Sequence, residues 1–318
     1  LEVTGPVFER RTAFYGRFGD TAVFEMAAAE GLPLVDEAQR DPSRTTTYGV
    51  GELMRHALEH GAKRIVLGLG GSATNDGGCG AAAALGTRFY DADGHTFVPV
   101  GGKLSNISKI DLSETRHLIN GVEVIAMCDI DNPMHGPRGA AQIFAPQKGA
   151  GEAMVRLLDD ELRALDQTIQ RELGVSVAEQ PGTGAAGAFG AGALAFFGAR
   201  LQPGIETVLD TVCFEECASG ADFVITGEGR LDSQSLRGKV VIGVARRAKR
   251  LEIPVVAIVG DIGDEIDEAY TAGVTAVFST NRLAIPFSEA SLRSKQDYRA
   301  AVNNLLRLIA GLEKDSFR

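Results

Sequence analysis

The sequence has no tryptophan, only four cysteines and no surplus of basic residues. Cys79, Cys128, Cys213 and Cys217 form neither CxxC pairs nor a disulfide-like ladder, so they read as reduced thiols of a cytoplasmic protein. A formal net charge of −10 argues against sequence-independent nucleic-acid binding, which needs basic surface to displace counterions. No run reaches the length of a transmembrane helix, and the first residues lack signal-peptide organisation, so no membrane partner is expected. Three catalytic signatures are also missing: GxxxxGK[ST], GxSxG and HExxH. His56 and His60 stand four apart on one helix face, and without the HExxH acid they read as surface residues rather than a metal pair.

Glycine, by contrast, is abundant, with 39 in 318 residues. The glycines gather at the ends of apolar runs, which points to α/β architecture with working loops, and the length allows two domains at roughly 100–200 residues each. Residues 1–28 alternate in short runs broken by Gly-Pro and Gly-Asp, predicting two or three antiparallel strands. An amphipathic helix follows Thr45–Thr47, whose hydroxyls either cap it or line a pocket. The stretch from Arg64 to Gly78, RIVLGLGGSATNDGG, reads as a strand, a tight turn and the start of a helix. Glycines there let backbone N–H groups approach an anion, so the turn is a candidate phosphate loop.

Val122–Cys128 is a buried-strand pattern that stops at Asp129, where α/β sheets place ligands; Asp129 and Asn132 are candidates for a metal or hydroxyl contact, or for a plain turn. Residues 152–173 carry a helical stripe of Met154, Leu157, Leu158, Leu162, Leu165 and Ile169. Pro181–Gly204 contains a formal GxGxxG without a preceding strand, and is read as a glycine-rich turn and a small-residue helix near the site. Beyond Gly204, three β-branched runs alternate with helices, the signature of βαβ crossovers and a parallel sheet. A last helix, 288–312, is expected to face inward with Leu292, Tyr298, Val302, Leu305, Leu306 and Ile309.

Two loops therefore carry the chemistry, GGSATNDGG (70–78) and TGEGRLD (226–232). Phosphoryl transfer needs amide donors, a cation, carboxylates for magnesium and an acceptor for the attacking hydroxyl's proton. The chain offers Gly70, Gly71, Ser72 and Gly77 as a cradle, Asp76, Asp129, Glu228 and Asp232 as carboxylates, and Arg230, Lys239 and Lys148 as cations. A rival reading is a dinucleotide site: Gly68, Gly70 and Ala73 satisfy GxGxxA, with Asp91 near the ribose-acid offset. Asp76 inside that turn would repel a pyrophosphate unless a metal stood between them.

These motifs have a family resemblance. Glu25–Val35 (EMAAAEGLPLV), Thr45–Leu58, GLGGSATNDGG, FAPQKGA (144–150), GTGAAGAFGAG (182–192), LQPGIE (201–206) and DFVITGEGRLDSQSLRGKVVIGVA (222–245) resemble the bacterial glycerate kinases that phosphorylate the 2-hydroxyl. The resemblance implies transfer from ATP, with Mg²⁺, to D-glycerate in a fold of two α/β domains. One is a Rossmann-like parallel-sheet domain and the other a larger α/β domain with some antiparallel strands. On that basis residues 1–217 are expected to form the glycine-loop domain and 218–318 the C-terminal half of the Rossmann-like one. Family members begin with further segments of the types APDSFKG and ADGGEGT, which implies an impaired kinase, or a non-catalytic small-ligand-binding remnant, if the chain starts at Leu1. An exposed sheet edge then favours association into a homodimer.

The site assignments implied are Asp76 or Asp232 on the acceptor hydroxyl, and Lys239 or Arg230 against the transferring phosphoryl charge. Gly70, Gly71, Ser72, Asn75, Gly77, Gly227, Glu228 and Gly229 lie around the nucleotide, and Asp129 with Asp76 on the metal.

Overall fold

The computed structural model describes residues 1–232, 235 and 239–315, and these form two compact units, 1–202 and 203–318. The division precedes two helices that the sequence reading, with its boundary at 217/218, assigned to the first domain. Both helices are tied to the second unit by ionic contacts.

In the first unit β1 (Gly16–Phe18), β2 (Thr21–Glu25), β3 (Arg64–Gly68), β4 (Glu123–Met127) and β5 (Arg200–Gln202) make one sheet in the order β5-β4-β3-β2-β1. All neighbours are parallel except β1 and β2. A second antiparallel pair joins Glu2–Thr4 to Arg10–Thr12. The parallel strands are buried in their middles, as expected where helices cover both faces. Helices α1 (Tyr48–Glu59), α2 (Cys79–Ala84), α3 (Glu152–Leu173) and α4 (Ala185–Phe197) supply that cover. Phe24, Leu53, Met54, Ile65, Leu67, Phe189 and Phe196 are core residues. On α3 the buried stripe is Leu158, Leu162, Leu165 and Ile169, whereas Leu157 points to solvent.

The second unit contains α5 (Gly204–Thr211), α6 (Phe214–Ala218), β6 (Val224–Thr226), α7 (Val240–Arg250), β7 (Val255–Val259), β8 (Val274–Ser279) and α8 (Phe287–Asp315). Its sheet is parallel throughout, in the order β6-β7-β8. The stretch DSQSLRGK between β6 and α7 includes Ser233, Gln234, Leu236, Arg237 and Gly238, which lie outside the described residues. The inward face of α8 is Asp297, Ala301 and Leu305, at spacings of four; Leu292, Tyr298 and Leu306, expected inside, are exposed. The four-residue step turns them away from the Val256 and Ile258 face of the sheet.

Arg247 on α7 is the ionic centre of this unit. Its guanidinium donates to Glu206 (2.9 Å) and Asp210 on α5 and to Glu215 (2.8 Å) on α6. Truncation would leave three carboxylates facing one another without their cation. Arg247→Ala is expected to cost about 2–3 kcal/mol of stability, below the ~3–5 kcal/mol of a fully buried pair because the carboxylates keep water contact. Urea unfolding followed by circular dichroism checks this; a loss under about 1 kcal/mol would mark the cluster as ordinary surface pairing.

Candidate functional site

The loop after β3 turns at Gly77 and Gly78, both at positive φ, and enters α2. Asp76 lies within this turn and is fully buried. Its carboxylate accepts from Gly78 N (3.1 Å), Gly80 N (3.2 Å), Thr47 N (2.8 Å) and Thr47 Oγ1 (2.9 Å). It thus satisfies amides at the starts of both α2 and α1, where a negative charge is favoured. Thr47 Oγ1 also accepts from Ala81 N (2.9 Å), so the threonine stitches the two helix starts together. Burial raises the Asp76 carboxyl above its ordinary range while these four donors work against the shift.

Beside Asp76 lie two groups of opposite charge. Lys148, in the short turn Pro146–Lys148, is 2% exposed, and its Nζ donates to Ser72 Oγ (2.8 Å) and Thr74 O (2.6 Å). Glu30 is fully buried and its Oε1 has no hydrogen-bond partner, while Oε2 accepts weakly from Ala73 N (3.3 Å). Burial pushes Glu30 up to about 8, moderated by the Lys148 charge. Burial likewise pushes Lys148 down to about 8, with Glu30 and Asp76 holding it from falling further. The buried Asn75 side chain also has both its polar atoms unpartnered.

Above this polar floor opens a cavity of about 470 Å³, lined by Gly70, Gly71, Ser72, Met127, Cys128, Asp129, Phe144, Gln147, Lys148, Ala185 and Ala186, among others. Among the described residues, the backbone N–H groups of Gly70, Gly71 and Ser72 donate to no carbonyl or side chain. Successive open amides of a glycine turn converge into an anion-binding concavity. Across the cavity stands Ala186, in the left-handed turn Ala186–Ala188 at the head of α4. The cavity therefore combines the open amide donors of the glycine loop with a buried ammonium. That is chemistry for carboxylate or phosphate oxygens.

The expected residues are thus divided by position. Gly70, Gly71, Ser72 and Asp129 line the cavity; Asn75, Asp76 and Gly77 do not, being packed beneath it. Asp76, expected on the metal or the acceptor hydroxyl, sits at the two helix starts, where an ion would compete with four donors. Asn132 Nδ2 donates to Arg138 O (2.8 Å) and shapes the β4 loop. Asp91, the ribose acid of the dinucleotide reading, caps its own hairpin turn through Asp93 N (3.0 Å) and His95 N (2.8 Å) and is not on the cavity lining.

In the second unit, Gly227, Glu228 and Gly229 follow β6 directly. Gly260 N donates to Glu228 O (3.1 Å) and Asp261 N to Gly229 O (3.0 Å). Arg230 lies 3.7 Å from Asp232 and 3.8 Å from Asp261. Lys239 is exposed at the N-cap of α7.

Sequence reasoning missed Glu30, and named Lys148 only as one cation among three. Both had a signal: each is a lone charge in a segment of small and apolar residues, AAAEGLP (27–33) and FAPQKGA (144–150).

A cavity of this kind on a mostly parallel sheet, beside a glycine loop without the GxxxxGK[ST] pattern, marks an α/β protein outside the P-loop class. Comparison with known proteins then fixes the family. The profile of the glycerate kinase family matches residues 1–310. The chain is 45% identical over 307 residues to the Escherichia coli K12 glycerate 2-kinase, covering 96% of this chain and 79% of that one. It is 44% identical to the Halalkalibacterium halodurans glycerate kinase, covering 96% and 81%. A crystal structure assigned to glycerate kinase 2 of Salmonella typhimurium LT2 superposes with a TM-score of 0.83 at 44% identity, covering 98% of this chain and 83% of that one. The chain belongs to the glycerate kinase family.

Proposed function

We propose that this chain transfers a phosphoryl group from ATP to the 2-hydroxyl of D-glycerate, giving 2-phosphoglycerate. The observation that carries the reading is the cavity in which the Lys148 ammonium and the open amides of Gly70, Gly71 and Ser72 face one space. D-Glycerate is a small carboxylate with vicinal hydroxyls, and a phosphoryl group in transit spreads negative charge over its oxygens; preorganised donors stabilise both. Lys148 and the loop amides hold these oxygens in place, and the apolar Leu69, Met127 and Phe144 limit water beside them.

Magnesium suits one side of this space. Asp129 presents an exposed carboxylate on the cavity lining, and Mg²⁺ is held by one or two carboxylates together with phosphate oxygens. When bound, the ion neutralises charge on the phosphates. With Asp76 engaged at the helix starts, Asp232 is the carboxylate retained for the acceptor hydroxyl. Arg230 and Lys239 are retained for phosphoryl charge, and Gly227, Glu228 and Gly229 for the nucleotide. The reading also takes in a homodimer, supported by the exposed edge strand β1 with Phe18 at 82% exposure.

The test is an ADP-release assay with D-glycerate and magnesium, with the product position fixed by phosphorus NMR. The wild-type chain is expected to release ADP in step with 2-phosphoglycerate, and Asp232→Asn to lower kcat by about 10²–10⁴. Ligand-induced thermal stabilisation without ADP would replace the kinase with a binding remnant.

A further inference from the structure

The second unit contains a cavity of about 210 Å³ of which only Gly229, placed near the nucleotide above, has been given a role. It opens at the carboxyl ends of all three parallel strands: Gly229 follows β6, Gly260 and Asp261 follow β7, and Thr280 and Asn281 follow β8. Its far wall is one face of α8, where Ala290, Ser291, Ser294 and Asp297 recur at helical spacing. Three of those four side chains are small, so the helix leaves a slot rather than filling it. Leu283 and Ile285 close the slot with apolar surface.

We propose that this slot binds the purine nucleoside end of the nucleotide, base first, and not its phosphates. The position is the general one for ligands of parallel α/β sheets, outside the carboxyl ends of the strands. The volume lies below the ~300–1,000 Å³ of pockets that enclose a whole drug-sized ligand, and suits a flat base with part of its sugar. Charge decides which end enters. Among the described residues, the ionisable groups lining the slot are Asp261 and Asp297, both carboxylates. Asp297 is 5% exposed and is paired with Arg293 (3.3 Å) and Arg282 (3.9 Å), so its charge is compensated from outside the lining. Asp261, lying 3.8 Å from Arg230, can accept a ribose hydroxyl, and no lysine or arginine stands on the described lining to receive a polyphosphate. Half-buried Thr280 and exposed Asn281 add a hydroxyl and an amide for the edge of a base.

The inference rests on the kinase reading for the identity of the nucleotide, and binding measured without glycerate separates the two. Wild-type protein is irradiated with 8-azido-ATP and digested, and the labelled peptide is mapped by mass spectrometry. Label is expected within residues 280–297. Adenosine is expected to protect against it and inorganic tripolyphosphate is not. In parallel, Ile285→Asp is expected to raise the KM for ATP about tenfold or more, with the KM for D-glycerate within about twofold of wild type. Label confined to residues 1–202, or protection by tripolyphosphate equal to that by adenosine, would overturn the proposal. Specific labelling of 280–297 in a protein that shows no turnover with D-glycerate would uphold the nucleoside slot while removing the assigned acceptor.

Discussion

Lys148→Met is expected to lower kcat/KM for D-glycerate by about 10²–10³, the usual loss when one preorganised donor to developing charge is removed. Methionine matches the stem of lysine but brings no ammonium, so Ser72 Oγ and Thr74 O lose their donor and the cavity loses its buried positive charge. Lys148→Arg should not restore activity, because a planar guanidinium cannot occupy the site of a point charge held between two oxygens. The pH profile separates this role from simple packing. Lys148 sits at about 8, so wild-type kcat/KM should fall as pH rises through that value and the ammonium discharges. The residual activity of K148M should lack that limb. If K148M kept both wild-type turnover and its basic limb, the lysine would have no part in holding substrate.

Glu30 supplies the matching stability test. Its folded-state value, raised to about 8 from 4.5, means that the native protein keeps a proton which the unfolded chain releases between those values. Its stabilising contribution is therefore complete below pH 4.5 and lost as pH rises towards 8. Glu30→Gln, with the same shape and no proton to lose, should flatten that fall in urea titrations run at several pH values.

Much of this architecture was legible because periodicity reports burial. The β3 run Ile65–Leu67 and the helix at 152–173 lie where their patterns put them, since a parallel strand buried on both faces and a one-sided helix leave distinct spacings. The glycine loop was legible as a turn after β3 with consecutive open amides, because glycine admits the positive φ found at Gly71, Gly77 and Gly78. Partnership was not legible. Asp76 looked like a ligand for metal or substrate because a carboxylate beside glycines has that chemistry. What fills its coordination is Thr47, 29 residues earlier in sequence, and this pairing exists only once α1 and α2 pack together. Glu30 and Lys148 lie 118 residues apart and acquire their perturbed proton affinities from mutual burial, which no local pattern encodes. The GxGxxG at 182–187 was read as a turn near the site, but its left-handed geometry depends on what it packs against.

That packing makes Gly187→Ala the most damaging single methyl expected in the first unit. Gly187 has φ +64, and a Cβ built on it would stand 2.0 Å from Thr74 O and 2.5 Å from the Cα of Asn75. Both atoms are backbone, in the loop that carries Asp76, and Gly77 N donates back to Gly187 O at 3.1 Å. No rotamer change relieves such a contact, so either the loop or the left-handed turn must move. The expected cost is about 4 kcal/mol or more, in the range that marks a broken special position rather than an ordinary substitution. The neighbouring Ala186, also left-handed at φ 54, gives the control. Ala186→Gly removes a Cβ from a conformation that disfavours it by roughly 1–2 kcal/mol, offset by the greater freedom of glycine in the unfolded chain, so its net effect should lie within about 1 kcal/mol of zero. Backbone strain alone at position 187 would cost no more than the Ala186 comparison implies. A loss several times larger in G187A assigns the excess to the collision with the glycine loop, and so to the contact between that loop and the turn at the head of α4. Chemical denaturation of both variants measures the two costs, and a G187A loss no larger than about 1–2 kcal/mol would show that the loop and the turn can part without consequence.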